Sequence, residues 1–193
     1  RQRNDQQMKN IFQFEAGQYL TLETVINQKK VRRSYSICCT PKEGLKVGVK
    51  KVSNGLFSTY VNNELREKET ILVAPPKGRF KYLNSSGGQN INAFAAGSGI
   101  TPIISIIKTA LKDHVDNKIF LVYGNKTPEE TLFYNELNEL EKNFQGRLKI
   151  KWIFSKARVI NSLFGRIDQN ILENIFRKGN RKTDKFYLCG PEG

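Results

Sequence analysis

The chain has 193 residues, 38% of them hydrophobic, and its 32 Lys and Arg against 18 Asp and Glu give a formal net charge of +14; this length fits one large domain or two small ones. One His and three Cys, at positions 38, 39 and 189, argue against a metal site, a disulfide framework and a hydrolase built on a catalytic His, and favour the reducing cytoplasm. No apolar run approaches the ~20 residues of a membrane span, and the positive charge is spread along the chain rather than concentrated, which gives little support to nucleic-acid binding.

Short apolar runs dominate the first 88 residues, at positions 19–22, 35–38, 45–49 and 70–73. Gly, Pro and Asn separate them, which is typical of an antiparallel sandwich or barrel. One short helix is predicted around residues 58–64, after Gly55. The small, polar segment 83–90 is the best candidate for a linker.

Strands and helices alternate after the linker. Strands are predicted at 91–96, 119–123, 148–154 and 185–189. Between them we expect a helix over 102–112 with Thr101 as N-cap, a second opened by a capping box at 127–130 and ending near 143, and a third capped by Asp168. This alternation predicts a parallel sheet covered by helices. The sequence therefore divides into a β domain over 1–88 and an α/β domain over 89–193.

Glycine or polar residues follow each predicted strand of the second domain, in the segments 96–102, 124–127, 155–158 and 189–191. Ligands of open parallel sheets bind at the carboxyl ends of the strands, and the helix N-termini that follow offer free N–H groups to an anion. Each segment alone is also compatible with an ordinary tight turn. Together they favour a nucleotide site.

Two segments of the first domain also suit an anionic, flat ligand. Arg33-Ser34-Tyr35-Ser36 places a cation and an aromatic ring on one face of a strand, and Gly55-Leu56-Phe57-Ser58 leads into a short helix. Taken singly, the first segment is better explained as an exposed strand with a Tyr, and the second is compatible with a simple capped helix.

The order of these motifs is more specific than any of them alone. Arg-x-Tyr-Ser, Gly-x-x-Ser, Gly-Ser-Gly-Ile-Thr-Pro, Tyr-Gly-Asn and Cys-Gly-Pro follow one another between residues 17 and 191. In this order the chain resembles the ferredoxin–NADP reductase superfamily, and within it the reductase subunits of phenylacetyl-CoA epoxidases, which act in phenylacetate degradation. The resemblance implies a flavin-binding antiparallel β-barrel of Greek-key type followed by an NAD(P)-binding α/β domain.

The resemblance also implies a role for individual residues. Arg33 would pair with the FAD pyrophosphate, Tyr35 would stack on the isoalloxazine and Ser36 would lie near flavin N5. Lys50 and Val52 would line the pyrimidine side, and the pyrophosphate would also be held by Gly55, Leu56 and Ser58. The nicotinamide nucleotide would contact Gly97, Gly99, Thr101 and Pro102, with Cys189 beside the nicotinamide and Gly190 and Pro191 next to it. The expected catalytic residues are Ser36, Thr101 and Cys189.

The cofactor preference depends on the segment after the third strand. Ser155, Lys156 and Arg158 offer a hydroxyl and two cations to an adenosine 2′-phosphate, and no acidic residue stands there. This favours NADPH, with NADH as the alternative.

The implied function is a flavoprotein that passes electrons from NADPH through FAD to an iron–sulfur or flavodoxin-type acceptor, as part of an oxygenase complex. The alternatives are a stand-alone ferredoxin or flavodoxin–NADP reductase and a basic nucleic-acid-binding module. Three scattered Cys cannot hold a [2Fe–2S] cluster, so we expect one only if a further domain follows Gly193. The first barrel strand and the end of the nucleotide domain are expected to be missing from this stretch of sequence.

Overall fold

The computed structural model of the chain describes residues 10–177 and 182–191. Its strands are β1 (Tyr19–Ile26), β2 (Lys29–Ser36), β3 (Leu72–Val73), β4 (Asn90–Ala96), β5 (Lys118–Asn125), β6 (Leu148–Phe154), β7 (Leu163–Phe164) and β8 (Lys185–Cys189). The helices described over their whole length are α1 (Leu56–Asn63), α2 (Ile100–Asp113), α3 (Tyr134–Asn143) and α4 (Gln169–Arg177). A 3₁₀ turn, Gly97–Gly99, immediately precedes α2.

The N-terminal half contains an antiparallel sheet in the order β2-β1-β3. β1 and β2 form a hairpin whose two-residue turn, Asn27 and Gln28, has positive φ at both positions, the geometry that suits a tight hairpin. The predicted antiparallel β class is confirmed. The predicted strand at 45–49 is wrong, because only Val47 forms a bridge, with Ile37, among these residues. This segment instead turns toward the second half, where a Cβ on Gly48 would lie 3.0 Å from Thr101 Cγ2.

The second half is an all-parallel sheet in the order β7-β6-β5-β4-β8, as the alternation predicts. The chain starts at β4, proceeds outward to β7 and then crosses to β8 on the other side of β4. The strand order therefore reverses between β4 and β8, where open parallel sheets form their ligand crevice. Sequence patterning missed β7, since two residues give no periodic signal.

The predicted helix starts are only partly right. Gly99, not Thr101, is the N-cap of α2, and the Thr101 hydroxyl donates a hydrogen bond to the Ser98 carbonyl at 3.0 Å. The predicted capping box at 127–130 forms a turn, and α3 starts later because its N-cap, Phe133, has a left-handed φ of 60°. Asp168 does cap α4, with its Oδ1 accepting from the Ile171 amide at 2.8 Å.

The two halves meet in one shared cluster of buried side chains, and each half also has a hydrophobic cluster of its own. α2 is buried over most of its length between the parallel sheet and the N-terminal half. Ala16, Cys38 and Tyr82 of the N-terminal half belong to the same cluster of buried side chains as α2 and the sheet. The boundary at residue 88 stays a prediction. None of the helices in the described ranges is long and apolar enough to cross a membrane.

Candidate active site

A cleft of about 850 Å³ lies between the two halves. The sequence-predicted site residues line it with three exceptions, Ser155, Lys156 and Arg158. The first half contributes the end of β2, the segment before α1 and the start of α1. The second half contributes the carboxyl end of β4, the start of α2 and the end of β8. Residues that are more than 130 positions apart in the chain thus meet at one opening.

The end of β2 supplies an aromatic and cationic wall. Tyr35 is half-buried, and its ring packs on Phe57 with centroids 5.6 Å apart. Burial raises the pKa of the Tyr35 hydroxyl, and the positive charge of Arg33 opposes this only in part. The Arg33 side chain is exposed and donates one hydrogen bond, to the carbonyl of Arg32 at 2.7 Å. Its guanidinium therefore keeps further donors for an anion.

The turn before α1 is held by the hydroxyl of Ser58. This oxygen accepts a hydrogen bond from the Val52 amide at 3.2 Å and donates one to the Gly55 carbonyl at 3.1 Å. A Cβ at Gly55 would lie 2.5 Å from the same oxygen, so any larger residue there would displace the Ser58 hydroxyl. The first amides of α1, at Leu56, Phe57 and Ser58, have no partner within the helix. They are better placed to receive an anion than the Ser58 hydroxyl is.

The loop between β4 and α2 is packed against the end of β8. A Cβ at Gly99 would overlap the carbonyl of Cys189, so loop and strand touch through their backbones. Tyr123 supports the loop from below by donating its hydroxyl to the Gly97 carbonyl at 2.9 Å. Burial raises the pKa of the half-buried Cys189 thiol, which therefore stays protonated and neutral.

The segment after β6 continues the same edge of the sheet. The amides of Ser155 and Lys156 bond to the carbonyls of Asn125 and Lys126, both at 2.9 Å. The Arg158 guanidinium lies over the Phe164 ring, 4.4 Å from its centroid. Lys126 connects this segment to the cleft, which it lines.

Some lining residues had no individual role assigned from the sequence, namely Ser34, Gly48, Lys51, Ser53, Phe57, Ala96, Ser98 and Lys126, and of these Gly48, Lys51 and Ser53 lie outside every segment proposed to bind a ligand. Lys126 had a usable signal, since it lies in the segment 124–127, which follows a parallel strand. Gly48 had none, because its place in the cleft depends on a crossing between the halves.

The cleft suits a ligand that is flat in one part and polyanionic in another. Its cations are Arg33, Lys50, Lys51 and Lys126, and no acidic residue is among the described residues that line it. Two helix N-termini and a glycine backbone border it, an arrangement that receives phosphates. The residues present thus fit both FAD and a nicotinamide nucleotide. Across residues 10–177 and 182–191, no group of three or more His, Cys, Asp or Glu could hold a metal ion.

Comparisons with known proteins agree with this geometry. Residues 4–82 match the FAD-binding domain of oxidoreductases, and residues 94–193 match the oxidoreductase NAD-binding domain. One subunit of the 1,2-phenylacetyl-CoA epoxidase of Escherichia coli is 35% identical over 191 residues, 96% of this chain and 54% of that protein. The ferredoxin reductase component of a 3-ketosteroid-9-alpha-monooxygenase from Rhodococcus rhodochrous is 34% identical over 77% of this chain and 43% of its own length.

Solved structures share the fold. The CS-b5R domains of human Ncb5or superpose with a TM-score of 0.78 at 23% identity, covering 93% of this chain and 54% of that one. The chain spans about half the length of the curated relatives named above.

Proposed function

The chain belongs to the ferredoxin–NADP reductase superfamily of FAD- and NAD-binding oxidoreductases, and from this premise we propose that it takes electrons from NADPH and delivers them to an iron–sulfur centre of an oxygenase system. The observation that carries the proposal is the single cleft in which the Arg33–Ser36 segment and the Gly97–Thr101 loop meet. Bound FAD would supply a two-electron acceptor for hydride that can release electrons one at a time.

On the flavin side the chain's task is to hold and orient. Arg33 and the first amides of α1 would hold the pyrophosphate, because a guanidinium and a helix N-terminus both favour phosphate. Tyr35, fixed against Phe57, would support the ring system. Lys50 and Val52 would line its polar edge, and Ser36 would lie beside its reacting edge.

On the nucleotide side the chain provides a close backbone and excludes water. Gly97, Gly99, Thr101 and Pro102 would form the nucleotide loop, bordered by Gly190 and Pro191. The neutral Cys189 thiol would sit against the nicotinamide, where it adds no charge. Hydride transfer needs no general base from the protein, which is consistent with a chain that has one His, placed at the C-cap of α2.

We propose NADPH rather than NADH as the donor. Ser155, Lys156 and Arg158 follow β6 and offer the hydroxyl and the cations that suit a 2′-phosphate. Their backbone contacts with Asn125 and Lys126 support a continuous binding edge from this segment to the cleft.

The proposed partner is an acidic iron–sulfur protein or domain within an oxygenase such as phenylacetyl-CoA epoxidase. Support comes from the relatives, one named as part of an epoxidase and one as the ferredoxin reductase component of a monooxygenase, and from the net charge of +14. Electron transfer should slow as salt rises, and a rate independent of salt would contradict the acidic partner. A stand-alone ferredoxin or flavodoxin reductase is the second candidate. The free thiols of Cys38, Cys39 and Cys189 favour a cytoplasmic location.

The flavin assignment is tested with the purified protein. We expect it to be yellow, to release FAD on denaturation and to bleach with NADPH without oxygen; a colourless protein that FAD cannot reconstitute would contradict the proposal. Arg33→Ala should weaken FAD binding about tenfold, the value of one charge-assisted phosphate contact. Arg32→Ala is the matched control, since Arg32 pairs with Glu23 and does not line the cleft. Equal FAD affinity in both variants would refute the role of Arg33.

A further inference from the structure

One face of α2 carries a row of polar residues, although most of the helix is apolar and buried. Thr101, Ser105, Lys108 and Lys112 recur at intervals of four, three and four residues, which places them along one side of the helix. The middle and the end of this row contact the N-terminal half. The Ser105 hydroxyl donates to the Cys39 carbonyl at 2.7 Å, a buried hydrogen bond between the halves.

Lys108 lies at the centre of a cluster of ion pairs. Its Nζ is 2.8 Å from Glu43 Oε2 in the N-terminal half and 3.0 Å from Glu136 Oε1 on α3. Its side chain is only 13% exposed. Lys112, one turn further along α2, binds the other oxygen of Glu43 at 2.9 Å.

Glu43 is fixed by its own loop as well. Its Oε2 accepts a hydrogen bond from the Thr40 amide at 3.2 Å, so the carboxylate is bound from both halves of the molecule. Burial acts to raise the pKa of Glu43, but the hydrogen bonds from Lys108 and Lys112 outweigh it and lower the pKa to about 2. The carboxylate is therefore charged at neutral pH, and the ion pairs are complete.

The cluster connects the two elements that carry the opposing walls of the cleft. The loop of Glu43 follows β2, which ends at Ser36, and Lys108 lies on the helix whose first turn contains Thr101. Each wall is anchored in its own half, since β2 is paired along its whole length with β1 and α2 is buried against the sheet. A change in the contact between Glu43 and Lys108 would therefore move one wall relative to the other.

We propose that Lys108 is a positioning residue, which sets the separation of the flavin and nucleotide walls by binding Glu43 of one half and Glu136 of the other. The role in cofactor alignment rests on the proposed function, whereas the docking of the two halves does not. Because a displacement of about 1 Å at a reacting centre can cost about 100-fold in rate, even a small shift at this contact has a measurable consequence.

The first experiment uses the whole chain without cofactor. Amide hydrogen exchange is compared in Lys108→Met, Lys108→Arg and the control Lys30→Met, whose side chain is 75% exposed and pairs with Glu23 outside the cleft. In Lys108→Met we expect exchange in residues 38–47 to accelerate about tenfold, with the β1–β2 hairpin unchanged. Lys108→Arg and Lys30→Met should match the wild type. Unchanged exchange in Lys108→Met would overturn the docking role.

The second experiment measures alignment with FAD bound. Lys108→Met should keep FAD affinity within about twofold of the wild type, because the proposed FAD site lies on the other wall of the cleft. The rate of hydride transfer should fall about 10- to 100-fold, whereas the KM for NADPH should change less. The long-wavelength absorbance of a nicotinamide stacked on flavin should weaken, and Lys108→Arg should restore it. A variant that is merely less stable, with normal rate and absorbance, overturns the positioning role.

Failure of the proposed function can be distinguished from failure of the positioning role. A wild-type chain that binds no FAD refutes the proposed function and leaves the exchange experiment to decide the docking of the halves. Should Lys108→Met not fold, Glu43→Gln removes the carboxylate that the N-terminal half contributes and should give the same changes at smaller size; wild-type exchange, rate and absorbance in Glu43→Gln would then overturn the proposal.

Discussion

Gly99→Ala would test whether the nucleotide loop is packed on the backbone of β8. Gly99 has φ −60° and ψ −11°, a conformation that alanine adopts freely, so the substitution adds no backbone strain. The loss of stability comes from steric overlap alone, because the new methyl group would overlap the Cys189 carbonyl and lie 2.8 Å from the Gly190 amide nitrogen. Neither group can rotate away, since Cys189 is held in register with Ala95 of β4.

The expected loss of stability lies at the upper end of the range for overpacking, about 3 kcal/mol. For a chain of this length that lowers the melting temperature by roughly 6–12 °C. Two other glycines serve as controls. Gly97→Ala meets no atom within 4 Å but has a φ of +55°, so strain alone should cost about 1–2 kcal/mol. Gly87→Ala also meets nothing within 4 Å and should change stability by less than about 0.5 kcal/mol.

Urea unfolding of the three variants gives the ranking, and a titration with NADP⁺ gives the functional consequence. Gly99→Ala should bind the nucleotide at least about tenfold more weakly, because the loop must separate from β8, while its FAD content stays normal. A Gly99→Ala protein as stable as Gly87→Ala would refute the packing argument. Normal nucleotide binding combined with reduced stability would refute the assignment of the loop to the nucleotide.

Two further predictions concern charge. Glu43 has a pKa lowered to about 2 from 4.5 in the folded protein, so its contribution to stability is complete above pH ~5 and is lost as the pH falls toward 2. The deficit of Glu43→Gln, roughly 1 kcal/mol at neutral pH once solvent screening is allowed for, should therefore fade over that window in urea unfolding, and a deficit independent of pH would contradict the ion pairs with Lys108 and Lys112. Lys156→Ala and Arg158→Ala should each weaken NADPH binding about tenfold and leave NADH binding unchanged. Equal losses for both nucleotides in binding titrations would show that the two cations do not recognise the 2′-phosphate.

Much of the fold can be predicted from the local pattern of apolar and polar residues. β5 is a nearly continuous apolar run, as expected for a strand buried on both faces, whereas β8 at the edge of the sheet exposes Phe186 and Leu188; the helices between the strands show a helical period. The antiparallel hairpin has a turn with two positive φ angles, which Asn tolerates. Helix starts were harder to predict, because the capping-box pattern at 127–130 was satisfied by a turn and three further residues separate it from the start of α3.

The candidate site, like the fold, was predicted in part from the sequence. The motif order from Arg33 to Pro191 identified most of the lining residues, since glycine and charge at strand and helix ends are local features. The sequence alone could not assign Gly48 to the cleft, nor show that the Ser58 hydroxyl is occupied by its own turn.

By itself, then, the sequence determined the two-part architecture, the superfamily and most of the residues that line the cleft, because these depend on periodicity and on short motifs. Only the tertiary structure decided how the halves meet. Glu43 lies 65 residues before Lys108, and nothing in their local sequence marks either as a partner. Their ion pair exists because the loop that follows β2 lies against α2, where the Ser105 hydroxyl also bonds to the Cys39 carbonyl, and such a contact between distant segments leaves no periodic trace in the chain.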